Sequence, residues 1–138
     1  MSGGSVRENY RKFIFVVCVI LTVSVFYFSV TPGETLDGES YSIQNSGVLM
    51  HILAYSVLTL SYGFYFYFSL AIIPAALEAG KIAFSYSLFI EVVQFFIPYR
   101  AFEFGDIGIN FLAIFVSCVG LLLLLKAKEY FILPIGSK

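Results

Sequence analysis

Charge is what this sequence has least of. Asp, Glu, Lys and Arg together make up only 12% of its 138 residues, against about 25% in an ordinary soluble domain. That excludes a conventional water-soluble fold. The formal net charge is −1, so no basic surface exists to neutralise phosphates, and nucleic acid is excluded as a partner. Tryptophan is absent and histidine occurs once. The two cysteines, Cys18 and Cys118, lie inside apolar runs without metal-site spacing and read as small apolar fillers. No Gly-rich phosphate loop, Cys-x-x-Cys pair or Gly-x-Ser-x-Gly elbow is present, so the signatures of nucleotide, thiol-redox and serine-hydrolase chemistry are missing.

What the sequence does have is apolar length. Hydrophobic residues make up 59% of the chain and the mean hydropathy is +0.91. Sixteen Phe and ten Tyr suit lipid contact and anchoring at membrane interfaces. The run Phe13 to Val30 is uncharged and, at ~1.5 Å per residue, just long enough to cross hydrocarbon. Arg7, Arg11 and Lys12 before it imitate a secretory signal, but no Ala-x-Ala-like site follows, so a retained first helix is expected.

Thr31 to Gly47 is polar, with Glu34, Asp37 and Glu39 but no Lys or Arg. Val48 to Pro98 is again apolar and far longer than the ~20 residues one span needs. It must fold back, and Pro74 with the cluster "EAGK", Glu78 to Lys81, is the expected turn. That predicts helices from about Val48 to Phe68 and from about Ile82 to Ile97. A fourth opens at Asp106, runs to about Leu125 and closes on Lys126 and Lys128.

The expected fold is therefore an all-α membrane protein, a four-transmembrane-helix bundle spanning residues 13–125 between an N-terminal segment, 1–12, and a tail, 126–138. Basic residues cluster in the N-terminal segment, at Lys81 and in the tail, while the first connection has none and the third only Arg100. The positive-inside rule then places both termini in the cytoplasm, with the first and third connections outside. The setting would be a plasma membrane, crossed several times, and the short connections suit a prokaryotic one.

On that threading the rare polar residues converge at one depth on the outer side. His51 and Tyr55 share a face of the second helix. Glu91 and Gln94 share a face of the third, with Glu91 ~9 Å below its end. Arg100, Glu103 and Asp106 lie in or beside the third connection, and Asn110 is one turn into the fourth helix. An acid within a spanning helix costs on the order of 2.5 to 3.5 kcal/mol. Glu91 should therefore face inward toward a partner, His51 or Arg100.

Each residue also has a plainer role open to it. Asp106 suits a helix N-cap, Arg100 and Glu103 suit a loop ion pair, and Gln94 and Asn110 suit interhelical hydrogen bonds. His51 and Tyr55 suit the interface.

The order His-x-x-x-Tyr in "HILAYSVLTL", Glu-x-x-Gln then Pro-x-Arg in "EVVQFFIPYR", and Asp-x-x-x-Asn in "FEFGDIGIN" resembles the VanZ-like family of small integral membrane proteins. The resemblance covers Val48 to Gly120. It departs at Gly47 and Val48, where an acid and a lysine often precede the histidine, and in the sparse glycines after the asparagine. It implies a four-helix membrane domain, linked in some bacterial members to resistance against lipid-directed glycopeptide antibiotics.

The function expected is action at the outer face on a lipid-linked or cell-envelope substrate. His51 would be general acid or base, with Glu91 sharing its proton. Arg100 would hold an anionic group, and Asp106 would be a second acid or a positioning group. Tyr55, Gln94, Glu103 and Asn110 would contact substrate. No Ser or Cys nucleophile is evident at that depth apart from Ser46. His51, Glu91 and Asp106 have ligand types a metal accepts, but one histidine without a spacing signature assigns none, and no cofactor follows. Membrane lipid is the expected partner, with a lipid-linked envelope precursor as candidate substrate; the oligomeric state is left open. A binder of lipid headgroups or glycolipids without chemistry, or a structural membrane subunit, is the alternative. Transport is disfavoured by the lack of an inverted repeat.

Overall fold

The structure is a computed structural model that describes residues 3–31, 40–98, 100 and 102–132. Four helices occupy them: α1 (Gly3–Val30), α2 (Ser40–Tyr67), α3 (Ile72–Phe95) and α4 (Phe104–Ile132). Segments Ser5–Val30, Gly47–Tyr67 and Phe104–Phe131 are each long and apolar enough to cross a membrane. The remaining helix, α3, carries Glu78, Lys81 and Glu91 and buries a full face, from Ile72 and Ala75 to Glu91 and Gln94.

The molecule is apolar outside and partly polar inside. Phe13, Val23, Phe28, Leu112, Val116 and Leu123 all point outward and exposed, whereas Thr59, Ser87, Glu91, Gln94, Asn110 and Ser117 are buried. Such an arrangement places apolar side chains where lipid tails are the solvent and leaves polar groups to bond each other within the bundle.

Close packing rests on small residues. Ala75, Ala79, Ala83 and Ser87 repeat every fourth position on α3 and are buried, so neighbouring backbones can approach along that row. Tyr55, Leu58, Ala83, Ala113 and Ile114 form one apolar core where α2, α3 and α4 meet. Ile72, Ala76, Leu121 and Leu125 form a second. Gly63 of α2 faces Leu121 of α4 so closely that a Cβ there would lie 2.2 Å from Leu121 Cδ2.

Pairings fix the directions. His51 meets Asn110 and Gly63 meets Leu121, so α2 and α4 run parallel. Asn110 meets Ser87 and Cys118 meets Ala76, so α3 is antiparallel to α4. Helix α1 packs on α2 and α3. Its start is tied to the α2–α3 turn by Arg7 Nη2, which donates to the Phe68 carbonyl at 2.6 Å. Midway, Tyr86 donates to the Thr22 carbonyl at 2.7 Å, and the Thr22 and Tyr62 hydroxyls are 3.0 Å apart. The helices thus alternate in direction. The ends of α1 and α3 and the start of α4 share one end of the bundle.

The expected turn at Pro74 and "EAGK" is not where the chain reverses. The reversal is Phe68 to Ala71, and α3 continues through Glu78 to Lys81. Pro74 falls in the first turn of α3, where a missing N–H removes no helical hydrogen bond. Glu78 and Lys81 pair across one turn on the exposed face at 2.6 Å. Gly80 packs against Cys118, whose Sγ would lie 3.0 Å from a Cβ at that position. Lys81 therefore belongs to a helix and not to a connection. Helices α1, α2 and α4 also extend beyond their expected limits of Phe13, Val48 and Leu125, to Gly3, Ser40 and Ile132. Glu34, Asp37, Glu39 and Lys138 lie outside the described residues.

Candidate functional site

Three helices each contribute one ionisable side chain to the shared end of the bundle. His51 sits three turns into α2, Glu91 one turn before the end of α3, and Asp106 in the first turn of α4. His51 Nε2 is 3.5 Å from Asp106 Oδ2, and both side chains keep partial exposure, 22% and 24%. One ligand-type atom from each of His51, Glu91 and Asp106 lies within 4.8 Å of the other two.

The imidazole is held from behind. Its Nδ1 is 2.9 Å from Asn110 Oδ1, and Asn110 Nδ2 donates to Ser87 Oγ, also at 2.9 Å. An amide oxygen can only accept, so in this orientation Nδ1 carries a proton and Nε2 is the nitrogen that faces the acids. His51 also stacks over Tyr55, with ring centroids 6.4 Å apart.

Glu91 is the outlier. It is 1% exposed, yet neither carboxylate oxygen has a hydrogen-bond partner among the described residues. The main chain of Glu103 lies near it without reaching hydrogen-bond geometry. The Tyr55 hydroxyl, beside Ser87, is likewise buried and unbonded. A buried carboxylate without a partner is costly. Two acids this close to an imidazole form a set that a bound cation would neutralise.

Not every expected site residue joins this cluster. Arg100 turns to the C-terminus of α1, where its Nη2 donates to the carbonyls of Phe28, at 3.2 Å, and Thr31. Gln94 does the same, its Nε2 donating to the Ser29 carbonyl at 3.1 Å. Both satisfy carbonyls that a helix end leaves open. The Glu103 side chain is exposed, and its carbonyl accepts from the Asp106 amide at 3.1 Å. Tyr55 and Asn110 belong to the cluster. The side chain of Ser46 lies outside the described residues.

Ser87 is the member that sequence reasoning passed over. It stands one helical turn before Glu91 in the same every-fourth row, and that spacing was the available signal. Two clefts, lined by Arg7, Phe68 and Lys128 among others, lie at the opposite end of the bundle and share no residue with the cluster. No protein-family model, curated protein or solved structure matches the chain.

Proposed function

We propose that this chain is a VanZ-like membrane protein of four spans, with both termini cytoplasmic, whose His51–Glu91–Asp106 cluster acts by acid–base chemistry on a lipid-linked or cell-envelope substrate at the outer face. The observation that carries the reading is Glu91: a fully buried carboxylate with both oxygens unbonded, turned toward an imidazole and a second acid. Packing alone would favour an apolar residue there, since a buried charge is weak evidence for stability. In this reading His51, presented by Asn110 and Ser87, is the proton carrier. Glu91 and Asp106 share and position that proton. Arg100 and Gln94 keep α1 in place beside the site, and Tyr55 floors it.

The test uses His51→Ala, Glu91→Gln and Asp106→Asn in the full chain in detergent, melted with and without lipid extract from the source membrane. Wild type should melt several degrees higher with the lipid. The three variants should fold and lose that rise. If Glu91→Gln keeps the rise, the site is a binder without chemistry. If wild type ignores the lipids and the variants simply melt earlier, the cluster is packing and the reading fails.

A further inference from the structure

We infer that His51, Glu91 and Asp106 bind a single divalent transition-metal ion of the zinc type. The inference rests on the reading of this cluster as a site, and it adds what the site holds.

The first argument is donor chemistry and position. One imidazole nitrogen and two carboxylates suit zinc and its first-row neighbours better than magnesium or calcium, which prefer oxygen alone. Bonds of about 2.0 to 2.2 Å in a tetrahedral site place neighbouring ligand atoms roughly 3.3 to 3.5 Å apart. His51 Nε2 and Asp106 Oδ2 stand at 3.5 Å. Glu91 closes the set within 4.8 Å.

The second argument is the orphaned carboxylate. Both Glu91 oxygens are buried and unbonded, and the polar groups that surround them offer little relief. Asn110 and Ser87 are engaged with His51 and each other, and the Tyr55 hydroxyl makes no hydrogen bond to either oxygen. A divalent ion would neutralise the two carboxylates and leave the three-residue set without net charge.

The third is the histidine's backing. A metal-bound imidazole typically donates its other N–H to a fixed acceptor, which sets the tautomer and the ring orientation. Asn110 Oδ1, itself anchored by Ser87, accepts from Nδ1 here and turns Nε2 toward the acids. Three protein ligands, two of them partly exposed, leave a position open to water or a substrate oxygen, as in catalytic rather than structural zinc sites.

The test uses tag-free full-length protein in detergent, stripped with a chelator and titrated with Zn²⁺, Mn²⁺ and Mg²⁺ by calorimetry and thermal melting. Wild type should take up one equivalent of Zn²⁺ and melt several degrees higher, with Mg²⁺ much weaker. Glu91→Gln, Asp106→Asn and His51→Ala should each weaken Zn²⁺ binding at least tenfold, while Glu78→Gln, on the exposed face, should not. Co²⁺ in wild type should give intense visible bands of a four- or five-coordinate site, a readout independent of how the variants fold. Absence of Zn²⁺ binding by folded wild type overturns the inference, as does binding that the three variants leave unchanged. If metal binding fails while the lipid-induced rise persists, only this inference falls. If both fail, the reading of the cluster as a site falls with it.

Discussion

His51 of α2 and Asn110 of α4 face each other at 2.9 Å, and Asn110 passes the link on to Ser87 of α3. One fully buried amide thus joins three helices at the level of the acids. A single interhelical hydrogen bond in an apolar setting averages about 0.6 kcal/mol. Removing this amide breaks two bonds and strands partners on both sides, so Asn110→Leu should cost about 1 to 3 kcal/mol. Ser61→Ala, which removes only an exposed bond to the Val57 carbonyl, should cost about 0.5 kcal/mol or less. Equal losses for the two in a detergent unfolding titration would refute the bridging role.

Two glycines inside helices should respond to the same substitution with opposite sign. Gly63→Ala drives a methyl to 2.2 Å from a fully buried Leu121, and overpacking of that kind costs about 1 to 3 kcal/mol. Gly120 has nothing within 4 Å of a built Cβ, so Gly120→Ala should gain up to about 1 kcal/mol of helix propensity. Melting both variants against wild type decides it. A neutral Gly63→Ala would mean that α2 and α4 are not held that close.

How much of this was legible in the sequence varies by residue. The four helices were, because the apolar runs are long and the second is too long to be one helix, and so was the inward position of Glu91, because an acid on an apolar helix has few places to go. The α2–α3 turn was misplaced because Pro74, Gly80 and a charged pair look like punctuation. A first-turn proline and a close-packed glycine are equally at home inside a helix. Arg100 was drawn toward the acids on charge alone. Its long side chain reaches α1 instead, and no local pattern encodes that choice, which depends on where helix ends meet in space.

Arg100 should therefore behave as a latch on α1. Arg100→Ala frees the carbonyls of Phe28 and Thr31, and the loss should be about 1 to 2 kcal/mol, within the range for hydrogen bonds to a charged group. Hydrogen exchange should rise in the last turn of α1 and change little around His51 and Asn110. Adding Gln94→Leu, which removes the bond to the Ser29 carbonyl, should extend the loosening up α1. Faster exchange confined to the start of α4 would refute the latch.

The disposition across the membrane can be read by labelling. Glu103 lies exposed between α3 and α4, and Ser69 lies exposed between α2 and α3, at opposite ends of the bundle. With Cys18 and Cys118 replaced by alanine, Glu103→Cys should react with a membrane-impermeant maleimide on intact cells. Ser69→Cys should react only after permeabilisation. Helix α3 is the one that decides the span count, because it carries Glu78, Lys81 and Glu91 and is not among the three segments that qualify by length and hydropathy. If both cysteines label from the same side, α3 does not cross and the four-span reading is wrong. If the pattern is reversed, α3 crosses but the His51–Glu91–Asp106 cluster faces the cytoplasm, and its substrate has to be sought on that side.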